Sequence, residues 1–413
     1  MPGPGFEWIG KEEEKEVLEV LRNRWLFRYG DEKDPAFVRK VKTLEEMVAR
    51  KFAVKHALAL TSGTAALITA LSALGIGPGD EVIVPGYTFI ASISSIIIAR
   101  AVPVLAEIDD SLTLDPADVE KKITPRTRAI MAVHMLGNSC DLNRLLAIAE
   151  KHGLILIEDA AQAFGGSYGK KSLGTLGKIG IYSFNIFKTI NAGDGGMLVT
   201  DDDSLYFRAF GYHDQGHFPS RSGVEIGNRS IIGQNYRMNE LTGAVLIAQF
   251  RRLDVIMKRL REIKERFRSR IEHLPGLGFR KINDKDGECS TLLTVILPTA
   301  QVAERLALKI GTTTVAKSGW HVYNNMEQIL GKKMIIERGC PYNCSCYPCH
   351  QEYQKGMLPR TDDIVGRAIN ISVGVVDKGL GAAFGVHPHS TDAEIDQKAK
   401  DFAAAFKETM EGL

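Results

Sequence analysis

Residues 179–200, IGIYSFNIFKTINAGDGGMLVT, contain two apolar segments of strand length on either side of a turn that carries Lys188. A lysine in an apolar turn beside glycines is unusual, because lysine side chains mostly stay in solvent. Burial would lower the pKa of Lys188 and make its neutral amine available as a nucleophile. Taken alone, however, a lysine near glycines is more often an ordinary loop residue.

Around this stretch, short apolar segments alternate with helical patterns from residue 55 to residue 201. Seven segments are predicted strands: Ala57–Leu60, Glu81–Val84, Val102–Leu105, Ala129–His134, Leu154–Glu158, Ile179–Ser183 and Gly196–Thr200. Helices are predicted over Thr64–Leu74, Phe89–Arg100, Pro116–Ile123 and Asp141–His152. Apolar strands separated by helices indicate an α/β fold, with a mostly parallel seven-stranded sheet flanked by helices.

The sequence after residue 201 predicts a different kind of structure. A long helical pattern runs over Asn239–Ile271, with arginine and lysine at its exposed positions. Pro275-Gly276 then breaks the helical pattern. The segment Leu292–Leu297 has the pattern of a strand and begins a second region, which we expect to be a smaller α+β domain.

These patterns predict three parts of the chain. A large domain is expected over residues 31–255 and a small C-terminal domain over residues 256–413, with the boundary inside the long helix. Residues 1–30 include a predicted helix, Lys11–Arg22. We expect this N-terminal segment to pack on the small domain or at a subunit interface.

Composition excludes several classes of partner. The chain has 413 residues, 44% of them hydrophobic and 25% charged, which is typical of soluble globular proteins. A formal net charge of +2 gives no electrostatic reason to expect nucleic acid or an anionic membrane as a partner. The segment nearest to a membrane span, residues 90–106, is interrupted by Arg100 and Pro103. Residues 1–10 lack the features of a signal peptide, so we expect a cytoplasmic protein.

Four of the six cysteines lie close together, at Cys340, Cys344, Cys346 and Cys349. In a cytoplasmic protein such a cluster suggests metal or redox chemistry before disulfides. The gaps between these cysteines match no standard zinc or iron–sulfur spacing. We therefore expect a thiol-rich loop without a bound metal and keep metal binding as the less favoured alternative.

Two motifs follow predicted strands, where the loops of an open α/β sheet build ligand sites. Thr61–Ala66 opens a helix with small residues, and backbone N–H groups at a helix N-terminus favour an anion such as phosphate. Ser62 and Thr64 can add hydroxyl donors. Glu158 and Asp159 end the fifth strand, so their side chains should point to opposite faces. For both motifs a helix cap without any ligand is an alternative.

The last motif, Gly233–Met238, reads alone as the start of a helix. What matters is that five motifs recur in order: Ser-Gly-Thr at 62–64, Thr-Phe at 88–89, Glu-Asp-Ala-Ala-Gln at 158–162, Ser-Phe…Lys…Gly-Asp-Gly-Gly at 183–196 and Gly-x-Asn-Tyr-Arg-Met at 233–238. Together they resemble the DegT/DnrJ/StrS family of fold-type I, pyridoxal-phosphate (PLP) dependent sugar aminotransferases, which includes 3-amino-5-hydroxybenzoate synthase. The resemblance extends from about Phe6 to the C-terminus.

The resemblance implies roles for residues around the cofactor ring. Lys188 would hold PLP as a Schiff base and move a proton between the substrate carbon and the cofactor. Asp159 would hold the pyridine nitrogen protonated, which strengthens the cofactor as an electron sink. Gln162 would lie beside the ring hydroxyl, and Phe89 would stack on the ring.

The resemblance also implies how the phosphate is held. Its expected ligands are Ser62, Gly63, Thr64 and Ser183, together with Asn235 from the neighbouring subunit. A ligand from the neighbouring subunit would make the active site depend on a homodimer.

Two positions bear on the reaction. The family commonly has histidine where Asn185 stands, so any help from this side chain in substrate binding is in doubt. A branch that dehydrates sugars replaces the lysine by histidine, and the presence of Lys188 argues against that branch. The implied reaction takes an amino group from L-glutamate, leaving pyridoxamine phosphate and 2-oxoglutarate, and passes it to a keto sugar.

Four stretches of the sequence bear on which sugar the protein would accept. Gly5–Gly10, Phe27–Tyr29, Val133–Met135 and Gly319–Asn325 resemble aminotransferases that make 8-amino-3,8-dideoxy-octulosonate from an oxidised sugar acid. Arg28, His321, Tyr323 and Asn324 are then candidates to bind sugar hydroxyls or a carboxylate. The alternative role of the aromatic residues in Gly319–Asn325 is packing in the core or at an interface. Nucleotide-linked keto-hexoses and ketocyclitols are alternative substrates, and a non-catalytic PLP-binding protein is an alternative of another class.

Overall fold

The computed structural model describes residues 3–219, 227, 229–334, 338–344 and 347–412. These residues form a seven-stranded sheet, a three-stranded sheet and a two-stranded ribbon. In this part of the chain, no helix has both the length and the apolar character needed to cross a bilayer.

The strands agree closely with the sequence patterns. In chain order they are β1 (His56–Leu60), β2 (Glu81–Pro85), β3 (Val102–Ala106), β4 (Thr127–Val133), β5 (Ile155–Asp159), β6 (Ser167–Tyr168), β7 (Lys171–Ser172), β8 (Ile179–Ser183), β9 (Gly196–Thr200), β10 (Gly278–Phe279), β11 (Leu292–Ile296) and β12 (Ala368–Ser372). The seven strands predicted for the main sheet are all present, with ends that differ by one or two residues.

The large sheet has the order β1-β9-β8-β5-β4-β2-β3. Strand β9 is antiparallel to both of its neighbours, and the other adjacent pairs are parallel. The predicted α/β architecture with a mostly parallel sheet is therefore confirmed. The parallel arrangement brings the carboxyl ends of β2, β4, β5 and β8 to one edge.

Thirteen α-helices surround the sheets in the described residues. They are α1 (Lys11–Asn23), α2 (Lys40–Phe52), α3 (Gly63–Ala73), α4 (Ile90–Ile98), α5 (Pro116–Lys122), α6 (Leu142–His152), α7 (Asp203–His213), α8 (Glu240–Arg251), α9 (Leu253–Ser269), α10 (Ala300–Lys309), α11 (Glu327–Leu330), α12 (Pro359–Arg367) and α13 (Asp392–Glu411). Side-chain caps define several starts: Ser62, Asp141 and Thr391 each accept a hydrogen bond from a first-turn N–H group.

The expectation of a single helix over Asn239–Ile271 is wrong, because the helix is interrupted at Arg252. This residue is not helical, with φ −100° and ψ 1°, and its side chain forms an ion pair with Glu13 of α1. The apolar periodicity continues across the break, so the sequence pattern does not reveal it. The boundary predicted near residue 256 lies in α9 and stays a prediction.

Beyond the break, β10, β11 and β12 form an antiparallel sheet in the order β10-β11-β12. Helices α9 and α10 pack against this sheet, and α13 packs against both helices. The predicted strand Leu292–Leu297 is β11. This arrangement has the α+β character expected of the C-terminal region.

The N-terminal segment contacts both parts of the chain. Helix α1 packs against α8, where Glu13 accepts a hydrogen bond from Gln249. Trp8 lies with its ring centre 5.2 Å from that of His389 in the C-terminal region. The segment thus contacts residues on both sides of the boundary predicted between residues 255 and 256. A role at a subunit interface stays a prediction.

A cluster of aromatic rings fills the core behind the main sheet. Phe164 is 1% exposed, and its ring centre lies 5.1 Å from Phe52, 5.0 Å from Tyr182, 5.1 Å from Phe184 and 6.0 Å from Phe250. Phe164 lies shortly after β5 and Phe184 shortly after β8. The cluster therefore fixes the segments that follow the two strands carrying Asp159 and Ser183.

Replacing Phe164 by alanine should lower the free energy of unfolding by about 3–5 kcal/mol, because a large cavity would open among four rings. Urea unfolding at matched cofactor saturation measures the change. The control is Phe207→Ala, because Phe207 is 46% exposed; its loss should stay below about 1 kcal/mol. Equal losses in the two variants would contradict this packing.

Candidate active site

A cavity of about 410 Å³ opens at the carboxyl ends of the parallel strands. Its size is typical of a small-molecule site. Ten of the residues expected from sequence line it: Ser62, Gly63, Thr64, Phe89, Asp159, Gln162, Ser183, Asn185, Lys188 and His321. The C-terminal region closes the other side of the cavity with residues such as Leu292, Trp320 and Asp377. The fold thus brings together motifs that are widely separated in sequence.

Glu158 and Asp159 point to opposite faces of the sheet, as alternation at the end of β5 predicts. Asp159 faces the cavity and is 3% exposed. Its Oδ2 accepts a hydrogen bond from Ser92 Oγ at 2.7 Å, and its Oδ1 accepts one from the Ala161 N–H at 3.1 Å. Burial raises the pKa of Asp159 above its usual value, and these two hydrogen bonds oppose the rise.

On the other face, the carboxylate of Glu158 is fully buried and satisfied. It accepts hydrogen bonds from the backbone N–H groups of Gly174, Leu176 and Gly177 at 2.8, 2.6 and 2.5 Å. His134 Nε2 lies 2.9 Å from the same carboxylate. Burial alone would raise the pKa of Glu158, but these bonds lower it below its usual value. Glu158 therefore binds the end of β5 to the segment Gly174–Gly177 and does not line the cavity.

Lys188 occupies the turn between β8 and β9, and its side chain lines the cavity. Burial lowers its pKa to about 8, although the negative charges of Asp159 and Asp377 oppose this shift. The N-terminal segment supports the turn: the Gly3 N–H donates to the Ile186 carbonyl at 3.0 Å. The lysine is thus held in a turn where its neutral amine is far more abundant near pH 7 than that of an exposed lysine.

The start of α3, where the sequence predicts an anion site, lies beside Ser183 in the cavity. The first N–H groups of the helix have no acceptor within the helix. Ser62 Oγ accepts from the Ala65 N–H at 3.0 Å, so its own hydroxyl hydrogen can still point to an anion. At Gly63, a Cβ would lie 2.7 Å from Ser183 Cβ, so only glycine allows this approach. Three hydroxyls and a helix N-terminus therefore fit a phosphate.

Gln162 and Phe89 both line the cavity. The Gln162 Oε1 accepts from the Leu136 N–H at 3.0 Å, which leaves its NH₂ group as the donor available to a ligand. Phe89 is 37% exposed, and its ring centre lies 5.3 Å from that of His321. Burial, helped by the charge of Lys188, lowers the pKa of His321 to about 3, so its imidazole is neutral.

Three expected substrate contacts do not line the cavity. Arg28 is 6% exposed and donates to Glu45 of α2 and to the Ala59 carbonyl of β1, at 2.8 and 3.0 Å. Its guanidinium therefore ties α2 to β1. Tyr323 and Asn324 both donate to Asp362 of α12, at 3.0 and 2.7 Å. Their polar groups hold the C-terminal region together instead of facing a ligand in this chain's own cavity.

Asn235 also lies outside the cavity lining. It is exposed and forms an isolated backbone bridge with Asp214. An exposed side chain is compatible with the expected contact to a neighbouring subunit, which stays a prediction.

The sequence patterns did not single out several residues that line the cavity. Ser92 lies on the first turn of α4, three residues after Phe89, which is a spacing that could have drawn attention to it. Trp320 is 61% exposed and precedes His321 in the aromatic run. Asp194 lies in the Gly-Asp-Gly-Gly motif but was given no role of its own, and Asp377 comes from the C-terminal region, where no local pattern marks a ligand site.

The cysteine-rich loop differs from the expectation of free thiols. Cys340 and Cys344 form a disulfide, and Cys349 is a half-buried free thiol. Cys346 lies outside the described residues. Ranking disulfides below metal or redox chemistry was therefore wrong for this pair. Among the residues that the structure describes, no group of three or more His, Cys, Asp or Glu side chains could hold a metal ion.

The fold and the site together define a fold-type I aminotransferase. A model of the DegT/DnrJ/EryC1/StrS aminotransferase family matches residues 7–375, and the chain belongs to this family. Members of the family depend on PLP, and the cavity fits that cofactor. It is lined by Lys188 with its lowered pKa, by the buried carboxylate of Asp159, and by a phosphate cradle that consists of Ser62, Gly63, Thr64 and Ser183.

Similar proteins carry related names. The chain is 39% identical over 306 residues to the spore coat polysaccharide biosynthesis protein SpsC of Bacillus subtilis (strain 168), covering 72% of this chain and 75% of that protein. It is 34% identical over 364 residues to GDP-perosamine synthase of Escherichia coli O157:H7, covering 88% and 90%. The crystal structure of 3-amino-5-hydroxybenzoic acid synthase superposes with a TM-score of 0.80 at 27% identity, covering 97% of both chains. The protein is a sugar aminotransferase of this family.

In cofactor-free protein, the reactivity of Lys188 toward an acylating reagent should rise as the pH passes about 8, because its pKa is lowered to that value. Lys258, whose side chain is 80% exposed, is the control lysine. Asp159→Asn should move the Lys188 profile to lower pH, because a charge that favours the ammonium is removed. Mass spectrometry of the two peptides measures both profiles. A Lys188 profile that coincides with that of Lys258 would contradict its burial.

Proposed function

We propose that the protein moves an amino group from L-glutamate to the keto group of a nucleotide-linked hexose, with PLP held on Lys188. The observation that carries this proposal is the presence of Lys188, Asp159 and the phosphate cradle in one cavity. A non-catalytic PLP-binding protein would have no need for a lysine of lowered pKa opposite a buried carboxylate.

When bound, PLP supplies an electron sink for the electron pair left when a proton leaves a substrate carbon. The residues of the chain bind and orient the reactants around it. Ser62, Thr64 and Ser183 would hold its phosphate, and Asp159 would accept a hydrogen bond from its protonated ring nitrogen. Lys188 would hold the cofactor through its Nζ and, as a free amine, would carry the proton at the reacting carbon of the substrate.

The acceptor is proposed to be nucleotide-linked because GDP-perosamine synthase, a relative that aligns over most of both chains, is named for a nucleotide-linked amino sugar. The alternative of an oxidised 3-deoxy-octulosonate rests on the resemblance of four sequence stretches, which implies Arg28, His321, Tyr323 and Asn324 as substrate contacts. Of these, only His321 lines the cavity, whereas Arg28, Tyr323 and Asn324 are engaged in packing contacts. A ketocyclitol is the remaining alternative.

Trp320 is proposed as a surface on which the acceptor rests. The side chain lines the cavity yet is 61% exposed, which is unusual for tryptophan. Sugar rings and nucleobases both pack well on an indole face. Asn185, Asp194 and Asp377 lie around the same cavity and can bind hydroxyl groups of the acceptor.

A homodimer with shared active sites is part of the proposal. Among the described lining residues, Lys188 is the only lysine or arginine, so this chain alone offers little positive charge to the carboxylates of L-glutamate. Asn235 is exposed and lies outside the cavity lining of its own chain, so the Asn235 of a second copy can complete the site.

A two-step assay tests the proposal. PLP-loaded protein is first given L-glutamate and should release 2-oxoglutarate. It is then given a nucleotide-linked 4-keto-hexose, an oxidised 3-deoxy-octulosonate or a ketocyclitol, and mass spectrometry detects the amino product. The nucleotide-linked sugar should react fastest. Lys188→Ala should reduce turnover by at least about 10²–10⁴-fold, because its proton transfer is lost. Lys258→Ala is the matched surface control.

Each outcome has a distinct meaning. Product formed only from the octulosonate or the cyclitol would overturn the choice of acceptor but not the reaction. Borohydride should also fix the cofactor on Lys188. If it does, but neither L-glutamate nor L-glutamine changes the visible absorption of the bound cofactor, the protein is a PLP-binding protein without aminotransferase activity.

A further inference from the structure

Two buried hydroxyl groups form a chain that ends on Asp159. Thr88 lies in the loop after β2, and Ser92 lies in the first turn of α4. They are four residues apart in sequence, and their hydroxyl groups are in contact. Thr88 is 0% exposed and Ser92 is 2% exposed. Their hydroxyl oxygens lie 2.7 Å apart, and Ser92 Oγ lies 2.7 Å from Asp159 Oδ2.

The direction of this chain follows from counting hydrogens. A carboxylate only accepts, so the single hydroxyl hydrogen of Ser92 must go to Asp159. Ser92 Oγ can then take part in the contact with Thr88 only as an acceptor, which makes Thr88 the donor. The other acceptor near Thr88 Oγ1 is the Phe89 carbonyl, at the longer distance of 3.4 Å. The hydrogen bonds therefore all point toward Asp159.

This arrangement matters because Asp159 sits where a negative charge is costly. The groups that face its carboxylate are Ser92 from α4, the Ala161 N–H from the loop after β5 and Lys188 from the turn after β8. His134, at the end of β4, lies on the opposite side with its ring turned to Glu158. Of these groups, Ser92 is the one whose side chain bonds directly to Asp159.

We propose that Ser92 is a positioning residue of the aminotransferase site: its hydroxyl, polarised by Thr88, orients the Asp159 carboxylate and keeps it ionised for the ring nitrogen of the cofactor. Thr88 acts one step further away, through Ser92. The proposal rests on the proposed function, because it assigns Asp159 to that nitrogen. Hydrogen bonds to the charged form of a carboxylate stabilise it, and successive hydroxyls polarise one another.

The test compares two ligands on the cofactor-free full chain. One is PLP, and the other is its carbocyclic analogue, in which a CH group replaces the ring nitrogen. Ser92→Ala should weaken PLP binding by about 10-fold and leave the analogue's affinity unchanged, because only PLP uses Asp159. Loss of affinity at acid pH, as Asp159 becomes protonated, should also begin at higher pH in Ser92→Ala than in the wild type.

Neighbouring hydroxyls provide matched variants. Ser95→Ala removes a buried hydroxyl one turn further along α4 that bonds only to the Ser92 carbonyl, and it should change neither affinity. Thr88→Val keeps the shape of the side chain and should weaken the binding of PLP, but not of the analogue, by a smaller factor than Ser92→Ala. Thr88→Ser, which retains the hydroxyl, should bind PLP like the wild type. Ser92→Thr, which retains the hydroxyl, should behave more like the wild type than Ser92→Ala.

The failures are distinguishable. If the wild type binds PLP and the carbocyclic analogue equally, Asp159 does not serve the ring nitrogen, and the proposed function itself loses its support. If the wild type prefers PLP but both Ser92→Ala and Thr88→Val keep that preference in full, the hydroxyl chain is irrelevant and only this proposal is overturned. Equal weakening of both ligands would assign the hydroxyls a merely structural role.

Discussion

The active site depends on the alternation of side chains at the end of β5, where Glu158 and Asp159 point to opposite faces of the sheet. An unsatisfied buried carboxylate costs several kcal/mol, so Glu158 tolerates little displacement from the three backbone N–H groups that it binds. The Cys140 N–H donates to His134 Nδ1, and His134 Nε2 lies 2.9 Å from the Glu158 carboxylate. With Glu158 fixed in this way, Asp159 can point only into the cavity.

The C-terminal region orders the same site from the other side. Arg280, which follows β10, donates to the carbonyls of Met135 and Leu136 at 3.2 and 2.9 Å and is itself paired with Glu288. The Leu136 N–H in turn holds the Gln162 side chain. Arg280, which lies outside the main sheet, therefore fixes the loop that orients the Gln162 side chain. The second sheet is thus part of the site's support as well as one of its walls.

Local patterns were sufficient for the main sheet and for the Lys188 turn, because apolar strands and small-residue motifs are both encoded by neighbouring residues. They were not sufficient where a polar side chain has a choice of partners. Arg28 has the chemistry of a carboxylate ligand, yet it ties α2 to β1, and only the packing of two distant segments decides this. Ser92 was missed for the same reason, because its partner Asp159 is 67 residues away. Arg252, where the two helices meet, likewise has its ion-pair partner Glu13 far away in sequence.

The proposed function requires that Asp159, ionised and buried, hold the ring nitrogen of the bound cofactor protonated. Nitrogen-15 NMR of the protein loaded with PLP labelled at the ring nitrogen measures this protonation state. The nitrogen should be protonated throughout neutral pH in the wild type and unprotonated in Asp159→Asn. An unprotonated ring nitrogen in the wild type would overturn this role of Asp159, whatever sugar the enzyme accepts.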